Sequence, residues 1–341
     1  MRLLPRVLAA LRSPVVRLGF LVVALALAVV YVVRDADAIA AAWARLDPAT
    51  VLLALVLSLG NVALSGASWR AVLGDLGSRL GWRAAARVFF VGQLGRYIPG
   101  TVFQFVAQAE LARDYGVPRR RTASALVVAL LVSMTTALLL VTGVLPVALA
   151  GRGDGTGAEL TGWAWTGWLR WLTPLLLVLL VPRVLNPLLG VLLRVARRDP
   201  LEHPVTWRGL LAAALWALAS WGAVGLQVFV LASAVGGGEL GPGRLLALSL
   251  GGYALAWAVG FLVVFAPAGA GAREVALAAL VGLGTGSGGA AVVVLASRVL
   301  LTLADVLLAL GALLTARGAL ARVRAAAAAD DPAADGPAPA P

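Results

Sequence analysis

The polar side chains with most chemical potential sit inside apolar sequence. Gln93, Arg96, Gln104, Gln108 and Glu110 fall within FFVGQLGRYIPGTVFQFVAQAE, residues 89–110. Arg273 and Glu274 close the irregular stretch APAGAGARE at 266–274, and Arg298 and Asp305 lie in the last apolar run. Arginine presents a planar fork of donors that fits a phosphate. Gln104 and Gln108 are four residues apart and share one face of a helix. Arg298 and Asp305 are nearly two helical turns apart and also share a face. A charge in hydrocarbon is costly unless it is paired or wetted. These residues therefore read as the lining of a polar cavity suited to an anionic lipid headgroup. Structural readings stand beside this one. Glu110 pairs with Arg113 three residues on, Glu274 caps a short helix at its positive end, and Arg298 and Asp305 hold a neighbouring helix through ion pairs.

The same residue types argue against several chemistries. The chain has no cysteine, which excludes disulfides, thiolate catalysis and cysteine-ligated metals. Its one histidine, His203, sits between Glu202 and Pro204 and reads as a solvated loop residue. The sequence has no zinc-hydrolase spacing and no GxxxxGK[ST] phosphate loop. No catalytic set, no metal site and no cofactor is expected. All 28 basic residues are arginine, against 16 acidic ones, for a net charge of +12. They gather between apolar runs, as basic residues do on the cytoplasmic side of a membrane and where they meet anionic headgroups. No nucleic-acid partner is expected.

The elements that must carry these residues are membrane spans. The chain is 61% hydrophobic and 13% charged. Uncharged runs at 123–150, 209–238 and 245–272 each exceed the about 20 residues that cross a bilayer as a helix. The fold class is all-α, a polytopic membrane helix bundle with about eight crossings and re-entrant or broken helices. Residues 1–14 form a cytoplasmic amino-terminal segment, 15–320 the membrane domain, and 321–341 a disordered tail too polar and small-sided to bury a core. Spans are expected near 15–33, 51–67, 123–150, 163–181, 209–235, 245–266, 275–283 and 290–316, with an external loop at 34–47 and an internal one at 183–208. Trp163, Trp165, Trp168 and Trp171 suit the headgroup level at the entry to the fourth span. The protein is placed in the cell membrane with both termini cytoplasmic.

Two elements break the helical pattern, near 89–107 and 266–284. Pro99 and Gly100 interrupt the first, and Pro267, Gly269 and Gly271 the second. Proline removes a backbone donor and glycine permits reversal. In lipid, such backbone survives only where protein or a polar cavity shelters it. Arginines at 83 and 87 and at 113 and 119–121 flank the first break. The segment either doubles back as a re-entrant hairpin or crosses as a kinked span.

GQLGRYIPG, with the following TVFQFVAQAELARDYGVPRRRTA, resembles the signature of the lysylphosphatidylglycerol synthase membrane-domain family, the flippase-like integral membrane proteins. ASWRAVLG and PAGAGARE are similar to that family's other marked segments, and the resemblance covers roughly 15–320. The family often has PGG where this chain reads Pro267, Ala268, Gly269. In bifunctional synthases this domain is associated with moving aminoacylated phospholipid between leaflets, while a soluble domain attaches the amino acid. The 25 residues after Ala316 leave no room for that soluble domain. The resemblance thus implies a transporter more than an enzyme. Its partner would be a membrane phospholipid or a polyprenyl-linked lipid, together with a separate lipid-modifying enzyme.

The leading expectation is a lipid flippase or transporter moving an anionic, aminoacylated or polyprenyl-linked lipid between leaflets. The alternatives are an intramembrane transferase using Glu110, Glu274 or Asp305 as a base, and a non-transporting envelope scaffold. Topology offers the first test. Single cysteines replacing Arg87 and Arg119 should both label from the cytoplasmic side, because arginine is in excess on both flanks of the first break. Labelling from opposite sides would make 89–107 a spanning helix.

Overall fold

Lipid offers no partner to a bare amide or carbonyl, so apolar segments span it as helices. The computed structural model describes residues 36–97, 103–149, 166–195, 199–262 and 271–329, and among them the regular structure is helical. In chain order these are α1 (Ala36–Trp43), α2 (Pro48–Asp75), α3 (Trp82–Ala86), α4 (Phe103–Arg113), α5 (Arg119–Leu149), α6 (Thr166–Leu179), α7 (Pro182–Val195), α8 (Trp207–Ala234), α9 (Pro242–Leu262) and α10 (Ala272–Ala329). A π turn at Arg87–Val91 and a 3-10 turn at Leu94–Tyr97 continue α3.

Among the described residues, α2, α5, α8, α9 and α10 are long and apolar enough to cross a membrane. A sixth candidate joins Thr173–Leu179 to Pro182–Val195 across a bend of 74°. The expected span at 15–33 lies outside the described residues. The expected span at 163–181 is described only from Thr166, where α6 runs to Leu179 before the bend into α7. Part of the expected loop at 183–208 is the amphipathic α7. Its Leu185, Leu189 and Leu193 are buried at helical spacing while Val184, Leu188, Val191 and Val195 are exposed. The expected loop at 34–47 contains α1. The segment expected as a tail from residue 321 is helical to Ala329, consistent with alanine being the best helix former.

The α2–α8 pair shows how sequence spacing sets packing. Asn61 Nδ2 donates to Ser220 Oγ (2.8 Å) and Ser68 Oγ to the Ala213 carbonyl (2.8 Å). Asp75 Oδ2 accepts from the Thr206 amide (2.6 Å). The pairs 61/220, 68/213 and 75/206 step by seven in opposite directions, so the helices run antiparallel in one register. Seven residues are nearly two turns, which keeps successive contacts on one stripe. Thr206 also caps α8 by accepting from the Gly209 amide (3.2 Å). At the nearby end of α5, Arg120 and Arg121 bind Glu202. The hydrogen bond from Arg120 holds that carboxyl below its ordinary range.

Among the described residues two tight reversals stand out. In the first hairpin, a Cβ on Gly95 would lie 2.8 Å from Gln104 Cα, and one on Gly92 would lie 3.1 Å from Gln108 Cα. Arg87 reaches the Tyr115 hydroxyl (3.4 Å). The pairs 95/104, 92/108 and 87/115 define two antiparallel arms. Arg121 binds Ser78 Oγ (2.7 Å), which ties the entry and exit together. The turn between the arms, with Pro99 and Gly100, lies outside the described residues. The second reversal is in α10 at Gly286, whose φ is +69°. A Cβ on Gly282 would lie 3.5 Å from that of Ala290, whereas eight residues of straight helix span about 12 Å.

Two apolar cores result. One joins α5, α8, α9 and α10 through residues such as Val228, Leu248, Leu255 and Val292. The other packs Trp69, Leu73, Phe89, Val128 and Leu185 around α2 and the first hairpin.

Replacing Gly95 by alanine should push the hairpin arms apart and lower stability by about 1–3 kcal/mol. The same change at Gly143, in the interior of α5 with open space around it, should be neutral or stabilising by up to about 1 kcal/mol. Thermal unfolding of both variants in a lipid-like environment checks this. Equal effects would deny the close approach of the arms.

Candidate functional site

A cavity of about 370 Å³ lies where the two cores meet, within the range of small-ligand sites. Its cationic wall is built by Arg96 on the 3-10 turn, Arg273 at the start of α10, and Arg298 on the arm after Gly286. A neutral wall comes from the α2–α8 seam, with Asn61, Ser65 and Ser220. There the Ser65 and Ser220 hydroxyls are 3.0 Å apart, and Ser220 Oγ donates to the Asn61 carbonyl (2.9 Å). Trp221 stands edge-on to Trp257 (5.2 Å between centroids), which stacks on Phe261 (5.8 Å).

Each arginine is held differently. Arg96 forms an ion pair with Asp305, and the Tyr97 hydroxyl donates to the same carboxylate oxygen, Oδ2, at 2.5 Å. The Asp305 side chain is fully buried, and its Oδ1 has no hydrogen-bond partner. Arg298 pairs with Glu274 at 3.2 Å. Glu274 also accepts from the Gly271 amide at 2.7 Å, closing a cap at the positive end of the helix. Gly271 has φ +92°, a conformation that favours glycine. Arg273 donates to the Tyr253 hydroxyl and lies 4.7 Å from that ring's centroid. Among the described residues no carboxylate pairs with Arg273, and the sequences of 98–102 and 263–270 contain no acidic residue.

The break before α10 sets this geometry. α9 runs nine residues beyond Tyr253, about 13 Å of helix, yet α10 begins beside Tyr253. The carboxyl end of α9 and the amino end of α10 are therefore at different heights, and the α10 terminus is delivered into the bundle.

Six of the nine residues expected from sequence line the cavity: Gln93, Arg96, Gln104, Gln108, Arg273 and Arg298. Glu274 and Asp305 stand behind it as the counter-charges of Arg298 and Arg96. Glu110 is placed elsewhere. It binds Arg119 (2.5 Å) and Arg113 (3.4 Å) on the exposed side of α4. The hydrogen bond from Arg119 holds its carboxyl below the ordinary range. Two residues beyond Gln108 on a helix, it points to the opposite face. Of the expected backbone breaks, Gly271 borders the site, whereas Pro99, Gly100, Pro267 and Gly269 lie outside the described residues.

Sequence reasoning missed Asn61, Ser65, Ser220, Tyr97 and Tyr253. The seven-residue step from Asn61 to Ser68 to Asp75 was a readable signal for the first of these. For Tyr253, one polar ring in a long apolar run, there was none. Gln108 and Trp69 complete the lining with unspent hydrogen-bonding capacity. Gln108 Nε2 donates to the Phe89 carbonyl (3.3 Å), while its buried Oε1 and the buried Trp69 Nε1 have no partner.

Residues 16–309 match the family model described as the lysylphosphatidylglycerol synthase TM region. No curated protein matches the chain.

The Arg96–Asp305 pair should respond asymmetrically to mutation. Arg96→Ala leaves a buried carboxylate with Tyr97 alone and should cost about 3–5 kcal/mol. Asp305→Asn should cost less, because the Arg96 side chain keeps 28% of its surface exposed. The double variant should regain part of the loss from Arg96→Ala. Thermal unfolding of the three variants tests this; a costlier Asp305→Asn would reverse the assignment.

Proposed function

Because the chain belongs to the lysylphosphatidylglycerol synthase TM region family, we propose that it is a lipid transporter whose cavity shelters an anionic headgroup while the acyl chains stay in the bilayer. The observation that carries this reading is the convergence of Arg96, Arg273 and Arg298 on one cavity among apolar helices. A headgroup crossing hydrocarbon bare would lose its hydration. Guanidinium forks replace water around a phosphate with charge-assisted hydrogen bonds. The amides of Gln93 and Gln104 and the α2–α8 hydroxyls can do the same for neutral polar groups.

The carboxylates favour transport over group transfer. Asp305 and Glu274 are each committed to an arginine, and Glu110 lies on the exposed face of α4, away from the cavity. The first hairpin is read as re-entrant, opening toward the cytoplasm, since Arg83, Arg87, Arg113 and Arg119 gather at its open end. On this reading the multi-pass protein sits in the cell membrane and its cavity is reached from within the bilayer.

Reconstituted vesicles with a labelled anionic phospholipid provide the test. Arg298→Gln should lower translocation per folded molecule by about tenfold, equivalent to about 1.4 kcal/mol. It should leave thermal stability nearly unchanged, because Arg298 and Glu274 are both partly exposed. Arg113→Ala, on the exposed side of α4, is the control. Undiminished movement with Arg298→Gln would remove this cavity from the transport path.

A further inference from the structure

The charge count of the cavity narrows its occupant. Three guanidinium groups face it. Asp305 neutralises Arg96 and Glu274 neutralises Arg298, so the Arg273 charge is left over. Its partner among the described residues is the neutral Tyr253, and the neighbouring segments 98–102 and 263–270 carry no charged residue. Among the described residues the site thus carries one net positive charge. A single negative charge balances it, whereas two would leave a surplus in a low-dielectric surrounding. An added ammonium would stand among three arginines, and the carboxylates beside them, Asp305 and Glu274, are already in ion pairs.

A second observation describes the rest of the headgroup. Trp69 Nε1 and Gln108 Oε1 both belong to cavity-lining residues, are buried and have no hydrogen-bond partner. The bond from Gln108 Nε2 to Phe89 fixes the amide orientation, so Oε1 is an acceptor. One site offers a donor and the other an acceptor. A hydroxyl is a compact neutral group that can answer both, accepting at one and donating at the other. The α2–α8 seam adds further hydroxyls and an amide.

We propose that the cavity selects a monoanionic phosphodiester lipid with a neutral, hydroxyl-bearing headgroup, and discriminates against headgroups carrying an ammonium, including aminoacylated ones. The phosphodiester binds Arg273, and headgroup hydroxyls reach Gln108 and Trp69. This specification rests on the reading of the cavity as a lipid-headgroup site.

Binding to the purified full chain tests it, with thermal stabilisation as the readout. Four probes are titrated: short-chain phosphatidylglycerol, phosphatidylethanolamine and phosphatidic acid with the same acyl chains, and inorganic phosphate. Phosphatidylglycerol should bind at least about tenfold more tightly than each of the others. Arg273→Gln should erase its advantage over phosphatidylethanolamine, and Arg273→Lys should keep most of it. Equal or tighter binding of phosphatidylethanolamine overturns the proposal, as does an undiminished preference in Arg273→Gln. Inorganic phosphate binding as tightly as phosphatidylglycerol would make this an anion site with no lipid specificity and also overturns it. If Arg273→Gln does not fold, the wild-type ranking and Arg273→Lys decide. Translocation of the same lipids in vesicles separates the two readings. Selective binding without movement defeats transport and leaves the selectivity standing; movement without selective binding does the reverse.

Discussion

A charge held among apolar helices needs a partner, and that constraint organises the bundle. Arg96 and Asp305 are 209 residues apart in the chain, yet the fully buried Asp305 carboxylate could not occupy its position alone without a large desolvation penalty. Their union fixes the first hairpin against the last span. Arg298 with Glu274 links the two arms of α10 at a partly exposed position. Among the described residues Arg273 is the exception, facing the cavity without a carboxylate. The polar site is therefore bounded by the contacts that make its burial tolerable.

Close backbone approach serves the same end. Gly92 and Gly95 let the arms of the first hairpin meet at Gln108 and Gln104. Small residues allow membrane helices to pack through direct contact where lipid gives no hydrophobic advantage to association. The α2–α8 register supplies a row of hydrogen bonds on the remaining wall. These two devices, one built from glycine and one from a seven-residue polar step, hold walls that meet through the Trp69 and Phe89 rings.

Much of this was legible because membrane sequence is sparse in charge. Each intramembrane arginine or carboxylate stood out, and the shared face of Arg298 and Asp305 followed from helical period alone. Their partners did not follow. Local spacing on one helix is silent about which residue 209 positions away meets it. Glu110 was misplaced because proximity in sequence to Gln104 and Gln108 was weighed above its angle on the helix. The bend after α6 was also illegible as such, since hydropathy records apolar length and not direction. The amphipathic period of α7 did carry its own signature in Leu185, Leu189 and Leu193, beneath the arginines that made the segment look like a loop.

Two cavity-lining aromatics also face outward. Phe261 is 42% exposed and Tyr97 37%. Residues that belong to both surfaces suit a lateral mouth, and the transport reading puts one beside Phe261 and Tyr97. The stacked Trp257–Phe261 rings form an apolar doorpost there. Such an opening sets a size limit on what must fit inside, the polar moiety, and sets none on what stays outside. Hydrocarbon chains of any length or number could trail from it into the bilayer.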